Sequence, residues 1–270
     1  MKGLRERFAE ELRLRLKPRI RRLLDERGIE VRRRGGVRRT PAEVLAHARR
    51  LGLRPAAVFD VGVGWGTPEL YEAFPQARHI LVEPLVEYEP AIQQILDRYD
   101  ADWVRAAAGA EAGGGSIAVH RTLQMSSMLG GWKGHDSADS APREVPVVTL
   151  DSVREERGLE GPFVVKVDVE GGELAVLDGA AAVLAESELV LLEVSLFRFL
   201  PEAPDFYDVI AYMKARGFVV YDLYGGHLRP LDGALAKTDV AFVKESGCFR
   251  RDESLSTPEQ AHAMFEGWGL

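Results

Sequence analysis

The chain has 270 residues, of which 46% are hydrophobic, and it carries a net charge of −7. This length and composition supply ample material for a core and predict one large α/β domain, alone or with an appendage. The single cysteine, Cys248, excludes an internal disulfide and favours a reducing, cytoplasmic compartment. No apolar run approaches the roughly 18 residues of a membrane-spanning helix, and the first residues lack the apolar stretch of a signal peptide.

Positive charge is concentrated in the first 55 residues, which hold 18 of the 35 Lys and Arg but only 7 of the 42 Asp and Glu. The acidic remainder argues against nucleic acid as a partner. Apolar residues recur every four positions in the basic segment and predict an amphipathic helix interrupted near Pro18: Leu4, Phe8, Leu12, Leu16 and Ile20. Such a helix either packs on the body or on a second copy of the chain, or lies on an anionic membrane surface.

From about residue 56 the chain alternates short apolar strands with helices, a pattern that predicts a mainly parallel sheet with helices on both faces. The predicted strands are 56–62, 79–84, 102–109, 163–169, 188–195, 218–225 and 238–245. The predicted helices are 68–74, 87–99, 173–187 and 205–217. Because the last two strands are joined by a connection too short for a helical crossover, we expect them to pair antiparallel.

The segment 110–150 is an insertion between the third and fourth predicted strands. It contains two β-like pieces separated by a loop rich in Gly, Ser and Asp, and long loops of this kind are usually functional or disordered. The predicted division of the chain is a basic, mainly helical segment at 1–55, a main domain at 56–247 and a tail at 248–270.

The first predicted strand ends in DVGVGWG, which runs from Asp60 to Gly66. Glycines at a strand-to-helix turn let the backbone approach a ligand, and free N–H groups at the start of the next helix favour a carboxylate or phosphate. The spacing differs from the dinucleotide pattern G-x-G-x-x-G, and an Asp60 carboxylate at the mouth of the loop would repel a pyrophosphate but attract an ammonium group. S-adenosylmethionine carries both an ammonium and a carboxylate; a tight turn without a ligand is the alternative.

Two later strand ends supply the remaining parts of a nucleotide site. Glu83 ends the second strand in LVEP, where a carboxylate can accept hydrogen bonds from two vicinal ribose hydroxyls. The third strand ends in the small residues 106–108, which leave room for a flat adenine. Together with the glycine loop, these positions favour S-adenosylmethionine as the cofactor.

The fourth predicted strand carries charged residues on one face. Alternation of side chains puts Lys166, Asp168 and Glu170 on the same side, and Glu193 on the fifth strand can join them. Crowded carboxylates raise one another's pKa, which suits one of them as a general base. Two alternatives stay open: a Mg²⁺ site, which the neighbouring lysine disfavours, and a structural ion-pair network.

Six histidines are scattered along the chain, and a single histidine is more often a surface or packing residue than a catalytic one. His135 is the best candidate for a catalytic role because it lies in the insertion loop, and loops at this edge of a sheet supply active-site groups. His227, between the last two strands, is the second candidate.

The motifs DVGVGWG, LVEP, MSSML, VVTLDS and KVDVEGGELAVLDGA follow one another in this order and resemble the FkbM-type S-adenosylmethionine-dependent methyltransferases. The resemblance covers about residues 56–245. It implies a Rossmann-like, seven-stranded class I methyltransferase sheet, mostly parallel with an antiparallel last strand. It also implies O-methylation of a hydroxyl on a sugar, glycan or secondary metabolite.

The resemblance assigns a cofactor site residue by residue, with a glycine at position 64 where the family usually has Asn. The assigned residues are Asp60, Gly62, Gly64 and Gly66 for the methionine end, Glu83 and Pro84 for the ribose, Ala106 and Ala107 for the adenine, and Ser126 and Ser127 for a loop folding over the cofactor. We expect Asp168 to lie nearest the methyl group as base or hydroxyl-orienting residue, with Glu170 and Glu193 shaping the acceptor pocket.

Two other functions compete with this interpretation. A dinucleotide-dependent oxidoreductase is disfavoured by the glycine spacing and by Asp60. A non-catalytic nucleotide-binding scaffold would use the basic N-terminal segment to dock on a membrane or a larger assembly. The acceptor, a small molecule or glycan, would be chosen by the 110–150 insertion.

Overall fold

The computed structural model describes residues 40–262, so the predicted amphipathic helix of the first 20 residues lies outside the described part. The described residues form seven α-helices: α1 (Pro41–Arg50), α2 (Pro68–Ala73), α3 (Glu89–Leu96), α4 (Leu150–Glu156), α5 (Glu173–Asp178), α6 (Ala181–Ala185) and α7 (Phe206–Ala215). They form ten strands: β1 (Ala57–Val61), β2 (Arg78–Val82), β3 (Ala101–Val104), β4 (Ala107–Ala108), β5 (Gly113–His120), β6 (Ser140–Val148), β7 (Phe163–Val167), β8 (Ser187–Ser195), β9 (Phe218–Leu228) and β10 (Leu235–Lys244).

Seven of these strands form one sheet in the order β3-β2-β1-β7-β8-β10-β9. The first five are parallel to their neighbours, whereas β10 is antiparallel to both β8 and β9, between which it is inserted. The predicted architecture, a mostly parallel seven-stranded sheet with an antiparallel last strand and helices on both faces, is confirmed.

Both faces of the sheet are covered, because alternate residues of the central strands belong to two separate cores. On β1, Phe59 packs in one core with side chains of α4, α5, α6 and α7, and Val58 packs in the other with side chains of α1, α2 and α3. All five residues of β1 are buried, which explains its nearly continuous apolar sequence. Helix α1 begins with a capping box between Thr40 and Glu43.

The insertion forms a small second sheet in the order β4-β6-β5. Strands β5 and β6 pair antiparallel from Gly113 opposite Val147 to His120 opposite Ser140, and the loop between them covers residues 121–139. The predicted divisions at residues 55 and 247 stay predictions. No helix in the range 40–262 is long and apolar enough to cross a membrane.

Two predicted elements are divided in the structure. The predicted strand 102–109 separates into β3 in the main sheet and β4 in the small sheet, because the Ala106 N–H turns back to donate to the Val104 carbonyl. The predicted helix 173–187 separates into α5 and α6 at Gly179, where a side chain would lie 2.1 Å from the Gly109 carbonyl oxygen.

Candidate active site

A cleft of about 1670 Å³ opens at the carboxyl ends of β1, β2, β7 and β8. Its walls also include the loop between β5 and β6 and the turn between β9 and β10. Open α/β sheets bind their ligands at this edge, so the cleft is the candidate active site.

The cleft brings together most of the residues that the sequence singles out. Those that line it include Gly62, Gly64, Gly66, Glu83, Pro84, Ala107, Ser126, His135, Lys166, Asp168, Glu170, Glu193 and His227. Asp60, Ala106 and Ser127 do not line it, and all three are buried beneath its walls.

The glycine loop is shaped by close contact with the end of β7. Gly62 has φ +76°, and a Cβ atom there would lie 1.8 Å from the Asp168 carbonyl oxygen, so any side chain would displace the backbone. The N–H groups of the three loop glycines form hydrogen bonds within the protein. Those of Gly62 and Gly66 donate to backbone carbonyls, and that of Gly64 donates to Glu83.

Asp60 lies below the loop and not at its mouth, which corrects the expected position. Its side chain is fully buried, accepts a hydrogen bond from the Tyr71 hydroxyl, and has one carboxylate oxygen 3.4 Å from the Lys166 Nζ atom. Burial and the neighbouring carboxylate raise the pKa of Tyr71, which keeps the phenol protonated as the donor. Asp60 therefore anchors the loop and Lys166 from beneath.

Glu83 projects from the end of β2 into the wall of the cleft and is only 4% exposed. One carboxylate oxygen accepts the Gly64 N–H at 3.0 Å and the other accepts the Leu85 N–H at 2.9 Å. Burial raises the pKa of Glu83 from 4.5 to about 7, although these two hydrogen bonds oppose the shift. Each oxygen retains a second lone pair for a ligand hydroxyl.

Around the ends of β7 and β8 and the start of β10, three carboxylates and two lysines form a charge network. Lys166 Nζ lies 3.4 Å from Asp168, and Lys237 Nζ binds both Glu170 and, at 2.6 Å, Glu193. The side chains of Glu170, Glu193 and Lys237 are 13–17% exposed, whereas that of Asp168 is 35% exposed. Asp168 is thus the carboxylate that is open to a ligand, and the other two are engaged with Lys237.

The pKa values of this network are set by opposing effects. Burial raises the pKa of Glu170 and of Glu193, and the charge of Lys237 counteracts it. Burial alone would lower the pKa of Lys237, but the two carboxylates outweigh it and raise this pKa, so the ammonium stays charged. On β10, burial and then Glu193 raise the pKa of Asp239 to about 7.

Glu170 has a backbone conformation that a non-glycine residue rarely adopts. Its φ is +56°, in the left-handed region, at a cost on the order of 1–2 kcal/mol. Its carbonyl oxygen accepts the Ser127 hydroxyl at 2.7 Å, which ties the insertion loop to the end of β7. Although Ser127 does not line the cleft, it holds this strained backbone in place.

The sequence interpretation missed several residues of the cleft. Lys237 belongs to no motif that the sequence analysis recognised. It lies near the start of a strand, whereas ligand-binding groups are usually sought at the carboxyl ends of strands. Phe197 and Phe199 form an aromatic cluster with Trp132, whose ring is 6.1 Å from that of Phe199. Arg229 lies over the Phe197 ring at 4.1 Å. These aromatic residues come together only through the tertiary fold.

The sequence was compared with known protein families. The family model described as the methyltransferase FkbM domain matches residues 61–220, more than half of the chain. The chain belongs to the FkbM methyltransferase family. The match contains the glycine loop, Glu83, the insertion and β7 with its charged end, and β10 with Lys237 lies beyond it. A comparison with curated protein sequences finds no match.

Solved structures of other methyltransferases are distantly similar to this FkbM-family chain. A putative RNA methyltransferase from Pyrococcus horikoshii is 16% identical, with a TM-score of 0.42, and the match covers 76% of this chain and 83% of that one. Magnesium protoporphyrin IX methyltransferase from Synechocystis, solved with bound SAM, is 10% identical, with a TM-score of 0.41 and coverage of 75% and 76%.

Proposed function

We propose that this FkbM-family protein is an S-adenosylmethionine-dependent O-methyltransferase that acts on a hydroxyl of a sugar, glycan or secondary metabolite. The observation that carries this proposal is the pairing of two features in one cleft. One wall has a glycine loop and a buried carboxylate suited to a ribose, and the other has an accessible carboxylate suited to an acceptor hydroxyl.

The residues of the first wall fit the cofactor in chemistry and in space. Glu83 would accept hydrogen bonds from the ribose hydroxyls with its free lone pairs. Gly62, Gly64 and Gly66 line the same cleft as Glu83, and the small side chain of Ala107 leaves room there for a flat base. When bound, S-adenosylmethionine supplies a methyl group on a sulfonium that is already a good leaving group.

Asp168 is the residue that we propose to orient the acceptor hydroxyl and accept its proton. It lines the cleft, it is the most exposed of the three clustered carboxylates, and Lys166 restrains it from behind. Glu170 and Glu193 would shape the acceptor pocket through their bonds to Lys237. His135, on the loop above, would contact the acceptor and not the cofactor.

The aromatic cluster of Trp132, Phe197 and Phe199 supports an acceptor with a flat or weakly polar face. All three residues line the cleft near Lys237, whose Nζ atom lies 5.0 Å from the Trp132 ring centre. Sugar rings present C–H groups on one face and hydroxyls at the edge, so one face can pack on these rings while a hydroxyl reaches Asp168.

Mg²⁺ is the less favoured occupant of the carboxylate cluster. Asp168, Glu170 and Glu193 could hold a cation together, but the Lys237 ammonium already contacts two of the three. A metal ion at this point would be repelled by that positive charge. We therefore propose that Lys237 does the electrostatic compensation that a metal would otherwise provide.

Asp168→Asn tests the proposal, with methyl transfer from labelled S-adenosylmethionine to a panel of hydroxylated acceptors as the assay. We expect turnover to fall by about 100-fold or more, since the variant loses a proton acceptor, while calorimetric binding of S-adenosylhomocysteine is retained. Asp97→Asn, at the exposed position that follows α3, is the matched control. Turnover near that of wild type in Asp168→Asn would contradict the assigned role.

Calorimetry also separates the competing functions. Binding of S-adenosylhomocysteine without binding of NADH supports the methyltransferase over an oxidoreductase. Cofactor binding without turnover on any acceptor in the panel or in a cell extract would instead favour a non-catalytic scaffold.

A further inference from the structure

A second group of potential ligands lies on the insertion, separate from the carboxylates on the main sheet. His120 ends β5, Asp139 immediately precedes β6, and His135 lies in the loop between them. One ligand atom from each of the three lies within 4.8 Å of those of the other two. The rings of His120 and His135 are edge to face, with centres 5.8 Å apart.

The buried ring of His120 has a polar atom without a partner. His120 is 3% exposed, and its Nε2 atom makes no hydrogen bond. Its Nδ1 atom lies 2.9 Å from the Thr122 N–H and 3.2 Å from the Thr122 carbonyl oxygen. Whichever nitrogen carries the proton, Nε2 is left as a buried donor or acceptor with nothing to bind.

We infer that His120, His135 and Asp139 form a binding site for a divalent transition metal of the Zn²⁺ type. Two imidazoles and one carboxylate suit Zn²⁺ and its neighbours in the first transition row, whereas Mg²⁺ and Ca²⁺ prefer oxygen ligands alone. Coordination of a metal by Nε2 requires the proton on Nδ1. The Nδ1–H would then donate to the Thr122 carbonyl, the outer hydrogen bond that metal-binding histidines usually make, in place of the hydrogen bond that Nδ1 accepts from the Thr122 N–H.

The three residues leave a position for a further ligand, because Zn²⁺ is commonly four-coordinate. Arg121 pairs with Asp139 at 3.3 Å, but its side chain is 75% exposed and can move aside into solvent. His135 also lines the cleft. The metal would therefore tie the loop that carries His135 to the end of β5 and the start of β6, and would set the position of His135 in the wall of the cleft.

The test uses the full-length, untagged protein, stripped of metal with EDTA and titrated with Co²⁺ as the probe. We expect wild type to develop the strong visible absorption of nitrogen-ligated Co²⁺ at low coordination number, at one equivalent. His135→Ala should weaken binding by more than about 100-fold, beyond the effect of losing an outer hydrogen bond. Its side chain is exposed, so the variant is expected to fold.

His227→Ala is the matched control, because His227 is another exposed histidine that lines the cleft but stands outside the cluster. It should bind Co²⁺ like wild type. Equal Co²⁺ binding by wild type and His135→Ala, or no binding by either, would overturn the proposal. Loss of the absorption in Glu193→Gln with retention in His135→Ala would place the metal at the carboxylates and would also overturn it.

A second measurement is independent of any spectrum. Zn²⁺ in excess should raise the melting temperature of wild type, because a ligand that binds only the folded state stabilises it, and should leave that of His135→Ala and Asp139→Asn unchanged. An equal rise in all three proteins would contradict the assignment of these ligands.

Discussion

The two sides of the cleft hold their carboxylates in different ways. On the side of β1 and β2, Glu83 is held by the backbone N–H groups of Gly64 and Leu85. On the side of β7, β8 and β10, Glu170 and Glu193 are held by the ammonium group of Lys237. The first arrangement depends on the course of the main chain, and the second depends on the identity of one side chain.

This difference indicates where each side tolerates change. Backbone donors stay in place when side chains around them change, so the Glu83 side depends on the glycine conformations that set the loop. On the other side, one lysine compensates the charge of two carboxylates, so the electrostatics of that side depend on a single residue. We therefore expect backbone changes to damage the first side and charge changes to damage the second.

Gly62→Ala is expected to have the largest effect, lowering the free energy of unfolding by about 5 kcal/mol. The new Cβ would meet the Asp168 carbonyl oxygen, and φ +76° is strained for alanine. The control is Gly64→Ala, where φ is +53° but the nearest atom is 3.9 Å away, so that only a conformational cost of about 1–2 kcal/mol applies. Urea unfolding measures both, and equal losses would show that the close approach is unimportant.

Lys237→Met should lower the free energy of unfolding by about 4 kcal/mol at pH 8, because it leaves two largely buried carboxylates without their cation. The loss should shrink as the pH falls, since burial raises the pKa values of Glu170 and Glu193 and both groups take up protons more readily once the lysine is absent. Lys214→Met, which breaks an exposed pair with Glu245, is the control and should cost less than about 1 kcal/mol. A small, pH-independent loss in Lys237→Met would remove the distinction between the two sides.

Glu83→Gln should alter the pH dependence of stability. The folded pKa of about 7 exceeds the reference value of 4.5, so this group's contribution is complete below pH 4.5 and is lost as the pH rises to 7. Wild type should therefore lose about 3 kcal/mol relative to Glu83→Gln between pH 5 and pH 8. Thermal unfolding across this range measures the difference, with the exposed Glu89→Gln as the reference for removing a surface carboxylate. Parallel pH profiles for wild type and Glu83→Gln would argue against a carboxyl with a raised pKa.

Much of the sheet was predictable because its central strands are buried on both faces. Valine-rich runs such as 163–167 can only be strands of a covered sheet, and the glycine turn after β1 marks where the chain leaves it. The pairing of the last two strands followed from the length of their connection. Lys166, Asp168 and Glu170 all line the cleft, but β7 ends at Val167 and Glu170 has φ +56°, so the alternation of an extended strand does not reach Glu170.

The depth of each side chain was less predictable. Asp60 and Glu83 both come at a strand end, yet Asp60 is sealed beneath the loop by Tyr71 and Lys166 while Glu83 reaches the cleft. The difference arises from β1 being central in the sheet, with Lys166 as the register partner of Asp60. The burial depth of each carboxylate therefore depends on the order of the strands in the sheet, which cannot be read from the local sequence.

Lys237 illustrates a different limit. Parallel strands deliver their carboxyl ends to the ligand edge, but β10 runs against them and delivers its beginning instead. The predicted antiparallel pairing of the last two strands already implied that one of them begins at the ligand edge. Searching the start of the last strand for charged residues would have found the lysine.

The inserted position of β10 has a consequence for how the site is assembled during synthesis. Chains emerge from their N-terminus, so β7, β8 and β9 are all made before the strand that must enter between β8 and β9. Until β10 arrives, the nascent protein carries Glu170 and Glu193 without their cation and has an open sheet edge at β8. The last strand to be made thus completes both the sheet and the charge balance of the cleft, and a chain truncated before residue 235 would lack both.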